Sequence, residues 1–416
     1  MKKTLLSILY AIGPGIFCIG YTVGTGSVTS MAKAGSSYGS QLLWVLAISC
    51  IFSWALMEAY GRYAVVTGRT AIHSFKTEFR YGKLMAILVV VGVVTGQMNS
   101  LSGIVGLTSN AIYEIMRLFF PTLNPENYWA ILGIAVVMLI LLYGMLIVGK
   151  FQVFERILIL FVTLMGLSFL ISMFIVLPSP AEIAKGFIPS IPQEKGGTLL
   201  VAAFVGTTMA APTFVVRPLL MKGKNWGNDN IKDQANDSIV SAILLFVISG
   251  SVMITSMGAL FYNGLTIERV IDMVQTLEPV AGKFSVALFM VGALSAGISS
   301  VFPILMVAPL LIADYKEGVL DTSSQLFKVL TGIACLIGLS IPIMGANPIV
   351  AQIASQVANV FILPLVIFGI IYLINSKKRM GDQRAGLGLN TILFLSLIFS
   401  CVISWLGFNA LLQFFE

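Results

Sequence analysis

Charge is scarce in this chain of 416 residues: 10% of them are Asp, Glu, Lys or Arg, where a water-soluble protein carries about 25%. So few charges cannot clothe a soluble globule. Histidine is reduced to His73, in a polar loop, and the four cysteines (Cys18, Cys50, Cys335, Cys401) each lie inside an apolar run. Neither a disulfide scaffold nor a clustered zinc site is suggested. A Gly-x-x-x-x-Gly-Lys-Ser/Thr phosphate loop is missing, which argues against an attached ATPase. An enzyme would need a histidine, convergent carboxylates or a metal cluster in the membrane; the sequence offers none, and no cofactor is expected. What is abundant is apolar: 57% of residues are hydrophobic and the mean hydropathy is +0.96. The chain reads as an integral membrane protein whose net charge of +7 belongs to loops rather than to a nucleic-acid face.

A helix crossing the hydrocarbon layer needs about 20 apolar residues, and eleven such runs follow one another. Their approximate bounds are 8 to 32, 41 to 61, 84 to 113, 129 to 148, 153 to 177, 198 to 221, 238 to 262, 284 to 313, 327 to 345, 349 to 374 and 388 to 413. The runs are continuous rather than alternating, so the expected class is all-α and not a barrel. The first run continues past Gly13-Pro14-Gly15 without a small-residue cleavage site and reads as a retained helix. With the amino terminus cytoplasmic, 19 Lys and Arg fall on the inner side and 6 on the outer. That bias predicts a multi-pass protein of the cell membrane with an inner amino terminus and, after eleven spans, an outer carboxyl terminus.

Two spans carry helix-breaking residues at comparable places. The first has Val23-Gly24-Thr25-Gly26-Ser27 near its middle; the sixth has Thr207-Thr208-Met209-Ala210-Ala211-Pro212-Thr213. Glycine is entropically costly inside a helix and proline removes a backbone donor, so both segments are expected to unwind. Spans one and six are corresponding members of two five-helix repeats, about 8–177 and 198–374, with an extra helix at about 388–413, all within one domain. Paired breaks in register point to an inverted-repeat transporter whose substrate sits at the midplane. Close helix packing at the glycines and a simple proline kink are the plainer explanation.

At these residues the sequence resembles the NRAMP family of proton-coupled divalent metal transporters, which have a LeuT-like fold. The landmarks are Gly13-Pro14-Gly15, Ala34-Gly35 to Tyr38-Gly39 with Leu42-Leu43-Trp44-Val45-Leu46, and Val66-Thr67-Gly68. Further ones are Lys185-Gly186, Pro189-Ser190-Ile191-Pro192, Ala296-Gly297 with Ser299-Ser300, Ser355-Gln356-Val357, Pro364 and Arg379-Met380-Gly381. The resemblance implies an eleven-helix, five-plus-five inverted repeat with helices one and six interrupted.

The family's metal-site residues do not carry over. Its helix-one Asp-Pro-Gly-Asn aligns with Gly24, Thr25, Gly26 and Ser27, and its helix-six Met-Pro-His run aligns with Ala210, Ala211 and Pro212, with Thr207 as the carbonyl donor. Met209 stands one residue off, so a local shift would bring its sulfur into the site. The family's helix-three carboxylates align with Gly96 and Asn99, and a second helix-six histidine with Arg217, so proton coupling of the family type lacks titrating groups. Of the 18 acidic residues, fourteen, Asp237 among them, are read as lying in loops or at chain ends. Glu58, Glu114, Glu155 and Asp314 lie within a turn or two of a helix end.

A dehydrated divalent ion without countercharge would be very costly in such a site, which leaves two readings. One is a divalent cation, magnesium rather than manganese or iron, kept largely hydrated by Ser27, Thr25, Thr207, Thr213 and Asn99. The other is a small carboxylate-bearing solute held by the backbone amides of Gly24 to Ser27, with Arg217 as a fixed positive charge that a cation path would resist. A non-transporting receptor or scaffold is a third. The candidate substrate residues are Gly24, Thr25, Gly26, Ser27, Thr207, Met209, Ala210 and Thr213; Asn99, Arg217 and Glu58 are candidates for coupling or gating. Arg217 paired with Glu58 as a structural cation, and Asn99 as an interhelical hydrogen-bonding residue, are the plainer alternatives.

Overall fold

The computed structural model describes residues 13–415 except 121, 126, 149–150, 193–195, 269–271, 273–277 and 317–323. The opening of the first span lies outside the described residues, as do Lys2, Lys3, Lys150, Lys195, Arg269, Glu126, Glu194, Glu317, Asp321 and Glu416.

The chain is helical along its described length. The elements are α1 (Gly13–Thr22), α2 (Thr25–Tyr38), α3 (Leu43–Thr67), α4 (Ala71–Glu78), α5 (Gly82–Phe119), α6 (Tyr128–Val148), α7 (Phe151–Ile175), α8 (Pro180–Lys185) and α9 (Gly197–Thr208). They continue as α10 (Ala211–Gly223), α11 (Ile231–Ala259), α12 (Glu278–Tyr315), α13 (Gln325–Gly338), α14 (Ser340–Met344), α15 (Pro348–Val360), α16 (Leu363–Ile374) and α17 (Leu387–Phe415). Ten stretches of the described residues are long and apolar enough to cross a membrane. The first unit is broken into α1 and α2, of 10 and 14 residues.

Both breaks fall where the sequence weakens the backbone ladder. Gly24 caps α2 in an extended conformation, φ −89° and ψ −171°. In the sixth span the break falls at Met209 and Ala210, one residue before the Ala211-Pro212 pair. Pro212 occupies the first turn of α10, where its missing N–H has no intrahelical role, so it starts the second half-helix rather than kinking the first.

The broken helices form the interior. Within the α9–α10 span every residue of the apolar window is buried, whereas in α6 and α17 only 28% are. The latter turn residues such as Ile140, Leu141, Phe394 and Trp405 outward, as helices at a lipid boundary do. Packed around the breaks are α5, α11, α12 and α15. α9 approaches α15 so closely that a methyl group at Gly206 would overlap the carbonyl oxygen of Gln356.

One helix begins earlier than its apolar run. α11 starts at Ile231, not near 238, and one face of its polar first two turns is covered by neighbouring helices: Gln234 is 0% and Asp237 3% exposed, while Lys232, Asp233 and Asn236 are exposed. The placement of Asp237 in a loop is therefore corrected. Hydrophobicity delimits the run but cannot register polar residues that are buried by partnering.

Candidate functional site

A small pocket lies where the two breaks meet α5 and α15. It is lined by Tyr21, Thr22, Gly24 and Gly26 of the first unit, by Thr207 and Ala210 of the second, by Gln97, Ser100 and Ile104 of α5, by Ile304 of α12, and by Gln356 and Asn359 of α15. It has room for about one water-sized guest.

Amides dominate one wall. On α15, Gln352, Gln356 and Asn359 follow at i, i+4 and i+7 and so share a helix face; on α5, Gln97 and Ser100 do the same. The Nε2 atoms of Gln352 and Gln356 both donate to the Ser100 hydroxyl at 3.1 Å. Asn359 Nδ2 donates to Gln356 Oε1 at 3.4 Å, and Gln97 Nε2 to Asn359 Oδ1 at 3.1 Å. Gly26 lets α2 pass against this wall, because a Cβ there would overlap the amide nitrogens of Gln356 and Gln352.

On and behind the lining, hydroxyls satisfy carbonyls near the breaks. Thr207 Oγ1 donates to Thr22 O (3.3 Å), Ser53 Oγ to Thr208 O (2.8 Å) and Ser300 Oγ to Gly20 O (2.8 Å). The Thr22 and Thr213 hydroxyls share a 3.2 Å hydrogen bond that ties α1 to α10.

The residues singled out from sequence separate into groups. Gly24, Gly26, Thr207 and Ala210 line the pocket, and Thr213 touches its rim through Thr22. Thr25 points elsewhere: it lines a second small cavity with Val28 and Thr29 of α2, Leu107, Thr108 and Ala111 of α5, and Met290 and Ala293 of α12. Ser27 turns to α11, its hydroxyl 3.1 Å from that of Ser249. Met209 is 1% exposed in the apolar core and is not among the pocket's lining residues, so the one-residue shift that would present its sulfur does not occur. Asn99 is exposed on the outside of α5, away from the wall that carries Gln97 and Ser100. With 100° per residue, positions 97, 100 and 104 share a face that excludes 99.

Arg217 does not pair with Glu58. Its guanidinium is 0% exposed and donates to Asp237 Oδ2 (2.6 Å), Ser238 Oγ (2.9 Å) and Gln234 O (3.4 Å), with Cys18 Sγ at 3.8 Å. Glu58 accepts instead from Arg62 at 2.5 Å, one helical turn on, and from Gln234 Nε2 at 2.7 Å. The reason is reach: the polar first turns of α11 lie between α10 and α3 and intercept both charges.

Among the described residues, the pocket's lining carries no charged side chain, and no group of three His, Cys, Asp or Glu that could hold a metal ion is formed. The pocket therefore offers neutral oxygens and amide N–H groups. Sequence reasoning passed over Gln97, Ser100, Gln352 and Asn359. The signal was there: five amide or hydroxyl side chains at helical spacing on two spans.

A family model described as "Natural resistance-associated macrophage protein-like" matches residues 15–410. The protein named Divalent metal cation transporter MntH of Caldanaerobacter subterraneus is 23% identical over 388 residues, covering 91% of this chain and 87% of its own length. A mutant of the Eremococcus coleocola manganese transporter superposes with a TM-score of 0.74 at 14% identity, covering 100% of this chain and 89% of that one. The transporter MhsT, solved with L-phenylalanine, gives 0.64 at 14% identity, covering 98% of both chains. The fold is thus the all-helical, LeuT-like one.

Proposed function

This chain belongs to the natural resistance-associated macrophage protein-like family, and from that premise we propose that it carries a divalent metal cation across a cell membrane through the pocket between the two breaks. It is a multi-pass membrane transporter and not an enzyme. The proposed cargo is a hard ion of magnesium's kind that keeps part of its water shell. The pairing of Arg217 with Asp237 carries this reading, because it neutralises the buried positive charge on α10.

A bare divalent ion among neutral groups would be far too costly. Magnesium dehydrates reluctantly and often keeps several waters. Gln97, Ser100, Gln356, Asn359 and Thr207 are suited to hold those waters, since each offers an oxygen that accepts from water. The pocket as it stands is smaller than such an ion, so the surrounding helices must part to admit it. With neither carboxylate nor imidazole on the lining, coupling to protons in the family's manner has no group to act through. The charge bias favours an amino terminus on the cytoplasmic side.

A second reading rests on the start of α2 facing the pocket at Gly24 to Gly26, an arrangement that also suits a carboxylate. It has lost the support of Arg217, which is committed to Asp237. Uptake into proteoliposomes decides between the two, using magnesium, manganese and a panel of amino and carboxylic acids, with and without a pH gradient. The expected result is saturable magnesium uptake that the gradient does not change. Robust proton-driven manganese uptake would overturn the water-shell mechanism. A signal from an organic acid alone would reject the cation. No uptake of any of them would leave a receptor or scaffold.

A further inference from the structure

We propose that Asp237 is the positioning residue that docks α1 against α10 and α11, and that release of α1 from it opens the pocket at the end of the bundle where α1 starts. This rests on the transporter reading for its purpose but not for its geometry.

Asp237 sits on α11 at 3% exposure, and its two carboxylate oxygens serve different helices. Oδ2 takes Arg217 of α10 at 2.6 Å, and Oδ1 takes the backbone N–H of Gly15 on α1 at 3.1 Å. Arg217 reaches α1 a second time, with Nη1 at 3.8 Å from Cys18 Sγ. The approach depends on Gly15 having no side chain: a Cβ there would overlap both Ser241 Oγ and Asp237 Oδ1. The Gly13-Pro14-Gly15 stretch thus acquires a physical role at its last residue.

What is docked is a short arm. α1 joins α2 through the non-helical residues Val23 and Gly24, while α2 is packed along α11. Rotation about that joint moves α1 without dragging α2. Because Tyr21 and Thr22 at the end of α1 line the pocket, the same rotation uncovers it.

The ion pair suits a reversible dock. Arg217 and Asp237 hold each other across α10 and α11 through a contact in which α1 takes no part, which leaves a receiving surface for α1 to return to. Burying the pair under α1 removes water from both charges, a cost that works against the docking hydrogen bond. Closure is therefore held without being locked.

Cys18 is a built-in reporter, buried on α1 next to Arg217. The test measures its alkylation by a charged maleimide in purified, detergent-solubilised protein without any substrate, in a background with Cys50→Ser, Cys335→Ser and Cys401→Ser. Gly15→Ala should raise the rate about tenfold, the equivalent of one hydrogen bond to a charged group. Asp237→Asn should raise it as well. Gly15→Ala is decisive because its methyl strikes Asp237 Oδ1 while both charges stay in place and Arg217 keeps Oδ2 as its partner, so the guanidinium beside the thiol is not left without its carboxylate. A second background that keeps only Cys50, buried on α3, separates release from general loosening: its rate should stay unchanged. Unchanged Cys18 labelling in Gly15→Ala, or equal rises at Cys18 and Cys50, would overturn the dock. The absence of substrate makes the result independent of whether magnesium is the cargo.

Discussion

Two glycines beside the pocket differ in what a methyl group would strike. At Gly206 it meets the backbone carbonyl of Gln356, which cannot retreat without moving α15; at Gly26 it meets the amide ends of Gln356 and Gln352, which can swing aside. Gly206→Ala should therefore destabilise the fold by about 1–3 kcal/mol, the usual cost of overpacking, read as a lower melting temperature in detergent. Gly26→Ala should leave the melting temperature close to wild type while uptake falls, since the amide wall is rearranged. A normal melting temperature for Gly206→Ala would show that α9 and α15 are not held at this separation. At this scale the sequence was only partly legible. Glycines and threonines at the breaks could be seen, but which way each side chain turns follows from helix phase across a break. Thr25 and Ser27 left the pocket for that reason although Gly24 and Gly26 remained.

The helical elements were easier to read than their ends. Apolar runs mark each span because lipid demands them, and both breaks stand where glycine and proline put them. Polar faces buried by partners escape that reading, and the inner face of the first two turns of α11 is the case in point. They carry Gln234 and Asp237 and thereby reassign the partner of Arg217 from Glu58. The pair joins α10 to α11, so its removal is a statement about two elements. Arg217→Met alone leaves the Asp237 carboxylate buried without its cation and should cost about 3–5 kcal/mol. Adding Asp237→Asn should restore most of that stability, because two neutral groups need no countercharge. A double variant as unstable as Arg217→Met, measured by thermal unfolding in detergent, would show that the pair is not a closed unit.

Across the whole molecule charge is sparse and placed with care: most basic residues lie in loops or toward helix ends, the buried Arg217 is matched by Asp237, and the pocket is lined by neutral groups. An electroneutral lining prefers an ion that brings its own water, and this can be reversed by one residue. Gln97 lines the pocket and hydrogen-bonds Asn359; Gln97→Glu is nearly isosteric and adds a carboxylate. A unit charge at about 4 Å contributes about 4 kcal/mol per opposite charge at an effective dielectric near 20. That attraction helps offset the dehydration an inner-sphere ion must undergo. Carboxylate oxygens accept manganese as well as magnesium, and magnesium resists shedding water more strongly. The variant should shift uptake toward manganese by at least about tenfold, near 1.4 kcal/mol. It should also acquire inhibition at low pH, because the new carboxylate binds ions only when ionised. Competition between the two ions in proteoliposomes across a pH series reads both effects. Unchanged selectivity in a folded Gln97→Glu protein would mean that the transported species does not pass the wall formed by α5 and α15.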